Sequence, residues 1–116
     1  MIKSDERTEG GATPTAEDLE AMGRYNEELV KAGVLLAGEG LLDSSKGARV
    51  RFKNGAATVI DGPFAEAKEL VAGFWLFDVK SKEEVIEWVK RIPCTTDEVS
   101  RVEIRQVFEA EDFVIG

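Results

Sequence analysis

The chain has 116 residues, which is enough for one domain with one hydrophobic core. Its 15 basic and 23 acidic side chains give a net charge of −8 at pH 7, which disfavours binding to nucleic-acid phosphates. The single cysteine, Cys94, excludes an intramolecular disulfide, and the absence of histidine excludes a Ser-His-Asp triad within one chain and removes the commonest metal ligand.

The first predicted helix spans residues 15–32. A polar N-terminal segment, residues 1–13, precedes it and is expected to be largely a loop. Thr15 and Asp18 have the spacing of a capping box, which provides acceptors for free backbone N–H groups at a helix start. Apolar side chains then recur at helical spacing as far as Gly33, a residue type that commonly ends helices.

An apolar stretch interrupted by glycines, residues 34–42, follows the helix. Its length and composition predict a strand, with a bulge or a close backbone approach at Gly38 or Gly40. Residues 43–47 are predicted to form a turn, because they are small, polar or glycine.

A hairpin is predicted from residues 49–52 and 57–60, which flank the strong turn signal Asn54-Gly55. Alternation places Val50 and Phe52 on one face, which is therefore the apolar face. The basic side chains of this region, which we expect to form a solvated face, are Lys46, Arg49, Arg51 and Lys53.

The second half of the chain contains two more strands and a helix. Residues 73–79 are almost continuously apolar and predict a central strand covered on both faces. A capping box at residues 81–84 opens a second helix, which Pro93 ends. Residues 102–108 alternate in polarity and predict a last strand, and the acidic tail 109–116 follows it.

The predicted order is helix, strand, hairpin, strand, helix, strand. Paired strands with two helices on one face predict an α+β sandwich of the ferredoxin-like kind, whose signature is βαββαβ, with an extra hairpin. That topology needs a strand before the first helix, and Met1-Ile2 is the only apolar chain available there. The first strand is therefore expected to be very short or missing.

The stretch Asp61-Gly62-Pro63-Phe64, followed by Glu66, Lys68 and Glu69, resembles the YCII-related family, in the branch named for its DGPF motif. The similarity continues on both sides, and it covers roughly residues 14–113 as one domain. The further matching stretches are residues 22–42, 44–51, 73–75, 87–88 and 103–108.

The resemblance implies a homodimer of the dimeric α+β barrel type, in which two sheets face each other. It also implies a bacterial protein, since members are often uncharacterised bacterial proteins and some are associated with sigma factors of the extracytoplasmic-function group. An enzymatic role is proposed for YCII relatives on the basis of a His-Asp pair. Many relatives carry that histidine where Leu42 stands here, so this chemistry does not transfer to the present chain.

Asp61 is the first candidate catalytic residue. Its carboxylate precedes a Gly-Pro turn at a strand end, where it could face a cavity and act as a general base or hold a ligand. The alternative is structural, because an aspartate side chain in this position also suits a hydrogen bond to the backbone of its own turn.

Five further residues are candidates for a ligand pocket: Glu39, Arg49, Glu69, Trp75 and Tyr25. Glu39 lies between two glycines in an apolar strand, where a carboxylate is exposed, paired with an arginine such as Arg49, or functional. Glu69 directly precedes the apolar strand, and the alternative for it is an exposed loop position. Trp75 could form one wall of a pocket for a planar ligand, although an aromatic side chain in a central strand is more often part of a core or a dimer interface.

Tyr25, the only tyrosine, could place its phenol in the cleft between helix and sheet, or could lie at the boundary of the core. Cys94 is interpreted as a structural or incidental thiol, since Arg91 is its only basic neighbour.

Two functions remain open at this point. The first is a homodimer with a small-molecule pocket between sheet and helices, where carboxylates could transfer protons. The second is a non-catalytic dimeric interaction or regulatory module with a protein partner in transcription. Since no apolar run is long enough to cross a membrane and no apolar segment opens the chain, we expect a cytoplasmic protein without membrane contacts, and we expect neither a metal nor a cofactor.

Overall fold

Three antiparallel strands form the central sheet of the protein. In the computed structural model these are β1 (Ile2–Lys3), β2 (Leu35–Gly40) and β5 (Val71–Phe77), in the order β1-β5-β2. The structure describes residues 1–4, 9, 15–93 and 101–113. Predictions for residues 5–8, 10–14, 94–100 and 114–116, among them the interpretation of Cys94, lie outside the described residues.

The short first strand takes the central position that a ferredoxin-like fold requires. Ile2 lies opposite Gly73 of β5 on one side and forms an isolated antiparallel bridge with Val102 on the other. The Lys3 N–H donates to the carbonyl of Arg101 over 3.0 Å, which continues this pairing. Residues 101–103 thus lie where the fourth strand of the fold belongs, and the fold is ferredoxin-like α+β.

The prediction of a strand over residues 102–108 is wrong beyond its first residue. Pairing ends where the Glu103 N–H donates to the Met1 carbonyl over 2.8 Å, and residues 103–109 are neither helix nor strand. A strand needs a neighbouring backbone, and β1 contributes only two residues to the pairing. The chain then forms a short 3₁₀ turn at Ala110–Phe113.

Both helices begin at the caps that the sequence predicts. The first helix, α1 (Ala16–Lys31), starts with a capping box in which the Thr15 side chain accepts the Asp18 N–H and the Asp18 carboxylate accepts the Thr15 N–H. It ends at Gly33, whose φ of 73° is in the left-handed region that favours glycine.

The second helix, α2 (Lys82–Lys90), starts at Ser81, whose hydroxyl accepts the Glu84 N–H. The Glu84 carboxylate accepts the N–H of Lys80 instead of that of Ser81, so the predicted box is only half formed.

The core lies between the two helices and one face of the sheet. Tyr25, Leu29 and Val34 are buried at its centre. The partly buried side chains packed around them are Met22, Leu35, Trp75, Phe77, Val79, Trp88 and Ile92. Gly38 lies opposite Trp75 in the sheet, and a Cβ at Gly38 would be 2.9 Å from Trp75 Cδ1, so this glycine makes room for the indole. Of the two alternatives predicted for Gly38 or Gly40, the close approach is found at Gly38, whereas the bulge lies between Leu35 and Ala37.

The predicted hairpin forms a separate two-stranded sheet. Its strands are β3 (Ala48–Lys53) and β4 (Ala56–Asp61), joined by Asn54 and Gly55, which both have positive φ. Val50 pairs with Val59, and Phe52 pairs with Ala57, so these four residues share the apolar face. Every residue of the hairpin is exposed.

The second face of the central sheet is not covered by the described residues of the chain. Since β5 side chains alternate, Phe74 and Leu76 point away from the helix-facing Trp75. Glu39 pairs with Phe74, and Ala37 pairs with Leu76, so these side chains lie on that same face. We call these four residues the open sheet face; the sequence prediction of a strand covered on both faces is met here on the helix side only.

Candidate functional site

A clasp between two loops fixes the backbone around the DGPF residues. Ser44, in the short 3₁₀ turn Ser44–Lys46, accepts the N–H of Phe64 on its hydroxyl over 2.9 Å. The Ser44 carbonyl lies so close to Gly62 that a Cβ there would be 1.7 Å from its oxygen. The glycine of this motif is therefore required by the close approach of another backbone segment.

Two more side chains complete the clasp. The carboxylate of Glu9 accepts hydrogen bonds from the Ser44 hydroxyl and from the Ser44 N–H, the latter over 2.9 Å. The guanidinium of Arg49 lies 3.9 Å from the centre of the Phe64 ring, which is a cation–π distance. The start of β3 and the end of β4 are thus fixed to the loop that leads into β5.

Asp61 is the last residue of β4, immediately before this clasp. Its side chain is exposed and makes no hydrogen bond or ion pair with any described residue. The hydrogen bond within its own turn, which was the structural alternative for this residue, is therefore not present between Asp61 and residues 62–64. The carboxylate remains available to a ligand or to a second chain.

Glu39 is the one charged side chain of the open sheet face. It lies directly across from Phe74, with Leu76 two residues further along the same strand. Arg49, the partner considered from the sequence, forms no ion pair with it, and neither does Arg51 or Arg105. Within the described part of the chain, Glu39 is thus an unpaired carboxylate among apolar side chains.

Tyr25 and Trp75 lie on the opposite side of the sheet, in the core. Their rings meet edge to face at 5.7 Å between centroids, and the indole N–H of Trp75 donates to Asn26 Oδ1 over 2.9 Å. The Tyr25 hydroxyl donates to the Trp88 carbonyl over 2.6 Å, which joins α1 to α2. Burial raises the pKa of Tyr25 to about 12; the Arg91 guanidinium opposes this rise, and the smaller effect of the Glu28 carboxylate adds to it.

The six candidate residues therefore do not form one cluster within a single chain. Tyr25 and Trp75 contact each other in the core, and Glu39 lies on the far side of the sheet. Arg49 stacks on Phe64, while Glu69 is exposed in the 3₁₀ turn Ala67–Glu69 before β5.

Sequence reasoning missed Ser44, which holds the DGPF residues, and Asn26, which orients the indole of Trp75. The Gly62-Pro63 pair was a sequence signal for a contact such as that of Ser44, because a glycine in a turn often leaves room for another backbone segment. A signal for Asn26 was weaker: an amide at a core-facing position of an otherwise apolar helix stripe.

The described residues contain neither a metal-ligand cluster nor a membrane-spanning helix. No group of three or more acidic, histidine or cysteine side chains is placed there as metal ligands would be. None of the helices in the described ranges has the length and apolar character needed to cross a bilayer.

Comparison with known proteins gives a consistent family match. The family model for the YCII-related domain matches residues 1–111. A curated relative, an uncharacterized protein of Rhizobium meliloti (strain 1021), is 33% identical over 88 residues, which cover 76% of this chain and 68% of the relative.

Proposed function

This chain belongs to the YCII-related family, and from that premise we propose that it forms a homodimer with a small-molecule site over the open sheet face, around Glu39. The compartment that suits this proposal is the cytoplasm, as expected from the sequence. The DGPF residues would border the site, and a carboxylate would be its chemical group. The proposed site thus lies on the side of the sheet away from the helices.

The exposure of the open sheet face is the observation that carries the proposal. The sheet is packed on its helix side only, and the other side presents Phe74, Leu76 and the unpaired carboxylate of Glu39. Soluble monomers rarely leave a contiguous apolar face of this kind in water. A second copy with the same face would cover it and would enclose both Glu39 residues in a common space.

The dimensions of the chain also support association. Its radius of gyration is 16.8 Å, and its extents are 48 × 47 × 20 Å. A compact chain of this length would have a radius of gyration of about 13 Å. The chain is therefore flat and extended for its length, and the large apolar side chains that remain exposed outside the helices include Leu36, Leu42 and Phe52. Covering each of them would contribute about 1.5–3 kcal/mol.

A carboxylate enclosed in this way can carry out proton transfer. With no histidine in the chain, Glu39 is the ionisable group best placed on the covered face, and Asp61 is the unpaired carboxylate beside the clasp. Glu39, which pairs with Phe74, could accept a proton from an acidic C–H or O–H of a small ligand held against that ring. The ligand class that fits is a small apolar or aromatic molecule with one acidic or hydrogen-bonding group.

The experiment is a thermal-shift screen of metabolite-like acids, lactones and aromatic compounds. A compound that binds only the folded protein raises its Tm by mass action. We expect a compound that stabilises the wild type to lose its effect in Glu39→Gln and to keep it in Glu27→Gln, an exposed position on α1 with the same change of charge. A stabilising compound that is unaffected by Glu39→Gln would contradict the proposed site.

A second candidate function is a non-catalytic regulatory module, and the hairpin is the observation that favours it. Its apolar face lies outside the open sheet face, and Phe52 there is 78% exposed. A protein partner in transcription, such as a sigma factor of the extracytoplasmic-function group, could bind this surface. Co-sedimentation of such a sigma factor with the wild type, lost in Phe52→Ser and kept in Leu19→Ser on α1, would favour this candidate over the first.

A further inference from the structure

We infer that, in the homodimer proposed above, the hairpin of each copy packs its apolar face against the open sheet face of the second copy. This inference rests on the proposed function and names the residues that close its site: Phe52 of one copy lies against Leu76 of the other. The site around Glu39 then has walls from both chains, and a single chain does not form it alone.

The apolar face of the hairpin has no cover within the described residues. β3 and β4 pair there only with each other, and all their side chains are exposed. On the apolar face, Val50 is 50%, Val59 is 65% and Phe52 is 78% exposed. A two-stranded hairpin is at best marginally stable in water unless another strand or a packed layer supports it. The hairpin therefore needs a packing partner that these residues do not provide.

The base of the hairpin holds it away from the open sheet face of its own chain. Gly47 precedes β3 and Gly62 follows β4, and the Gly62 N–H donates to the Gly47 carbonyl over 3.0 Å. The clasp around Ser44 fixes the same end of the hairpin. With the hairpin held in this way, Phe52 and Leu76 both remain exposed in the single chain. A second copy can bring the two faces together while the clasp stays closed.

The open sheet face has an unprotected side at β2. This strand is at the edge in the order β1-β5-β2, so no further strand of the described residues borders the site there. β2 and each hairpin strand have six residues, a length of about 20 Å, so the hairpin of a second copy matches this side along its whole length. Ala37 of β2 pairs with Leu76 and has a small side chain, which leaves room for Phe52 over Leu76.

The charges of the hairpin favour the same partner. Its cations Arg49, Arg51 and Lys53 lie together on the face opposite the apolar one. Residues 48–61 contain these three cations and Asp61, a net charge of +2, so the rest of the chain has −8 − 2 = −10. A second copy is thus an acidic partner for a basic hairpin, and this attraction steers the two together.

The test places opposite charges at the two contact positions and mixes the variants, with dissociation constants measured by sedimentation velocity. Phe52→Lys and Leu76→Asp should each weaken the dimer about tenfold or more, because each puts a charge against an apolar side chain in both symmetry-related contacts. In the heterodimer of the two variants, one contact joins the introduced lysine to the introduced aspartate, and the other is the wild-type contact. This heterodimer should therefore be tighter than either variant homodimer.

Leu19→Lys, at a position of α1 that is 60% exposed, is the matched control for charge. It should leave the dissociation constant of its own dimer unchanged. Its heterodimer with Leu76→Asp should be about tenfold weaker than that of Phe52→Lys with Leu76→Asp, because it leaves the introduced aspartate against Phe52.

The outcomes separate the hairpin contact from the homodimer. A Phe52→Lys protein that dimerises as the wild type does would overturn the hairpin contact and leave the homodimer standing. Equal affinities of the two heterodimers would also overturn it, because Phe52 would then lie away from Leu76 of the second copy. A monomeric wild type would overturn the homodimer itself, and with it the proposed function.

Discussion

Gly62 and Gly47 differ in the space around them, although both lie beside Ser44. A Cβ on Gly62 would be 1.7 Å from the Ser44 carbonyl oxygen, whereas a Cβ on Gly47 would be 3.6 Å from the same atom, an ordinary contact. Gly47 also has an extended backbone that any residue can adopt. Comparing substitutions at the two positions therefore separates the effect of the close approach on stability from the general effect of replacing a glycine.

We expect Gly62→Ala to lower the free energy of unfolding by about 2 kcal/mol or more, because the Ser44 loop must move away from the DGPF residues. Gly47→Ala should change it by less than about 0.5 kcal/mol. Urea denaturation at one protein concentration measures both. Equal effects of the two substitutions would show that the clasp does not constrain Gly62.

Because the pKa of the Tyr25 phenol is raised in the folded state, we expect the stability of the protein to fall as the pH rises above 10. Its pKa is raised from 10.0 to about 12 by burial, so the folded state holds the proton more tightly than the unfolded state does. The stabilisation is complete below pH 10 and is lost as the pH rises to about 12, and it amounts to about 2–3 kcal/mol. Ionisation also removes the hydrogen bond from the Tyr25 hydroxyl to Trp88.

Tyr25→Phe tests this assignment, because phenylalanine keeps the ring contact with Trp75 and has no proton to lose. The variant should be less stable than the wild type by about 1 kcal/mol at pH 8, where the hydrogen bond is missing. The difference should shrink above pH 10 and reverse its sign by about pH 12, because the wild type then loses more stability than the hydrogen bond contributes at pH 8. A constant difference over that range, measured by urea denaturation, would contradict the role given to the phenol.

Among the elements, α1 offers two glycines for which opposite outcomes are expected. Gly23 lies in mid-helix with no atom near the position of its missing Cβ, whereas Gly33 has a φ of 73° and ends the helix. Gly23→Ala should stabilise the protein by about 0.5–1 kcal/mol, since alanine restricts the unfolded chain and favours the helix. Gly33→Ala should destabilise it by about 1 kcal/mol, since alanine is strained in the left-handed region. Thermal unfolding of both variants measures the two signs, and a loss of stability in both would contradict the assignment of Gly23.

Local signals predicted most elements, and long-range pairing determined the rest. Thr15, Gly33 and Asn54-Gly55 act through hydrogen bonds and φ angles within a few residues, so their effects can be derived from the sequence. The strand over residues 102–108 depends on a neighbour about a hundred positions earlier, and alternation carries no information about how long that neighbour is. Predicting where a strand ends requires knowledge of its partner.

The candidate site was predictable as a set of residue types and not as a cluster. Glu39 was identified because an unpaired carboxylate is costly to bury in an apolar strand. Its position on the side of the sheet opposite Trp75 depends on the irregularity between Leu35 and Ala37, because one extra residue moves the following side chains to the other face. Only the register with β5 determines which candidates share a face.

For the whole molecule, a dimer through the open sheet face predicts which apolar side chains matter for association. Leu76→Asp should weaken the dimer at least about tenfold, because a carboxylate would be enclosed among apolar side chains. Leu19→Asp, at an exposed apolar position of α1, should leave the dissociation constant unchanged. Sedimentation velocity over a range of protein concentrations compares the two, and equal behaviour would place the interface elsewhere.

The most direct test of the account is sedimentation equilibrium of the wild-type chain at neutral pH. We expect a mass of twice 12.7 kDa at micromolar concentrations, because in the proposed homodimer a second copy covers the open sheet face. A single species of 12.7 kDa at every concentration would contradict the homodimer, and with it the enclosed site around Glu39.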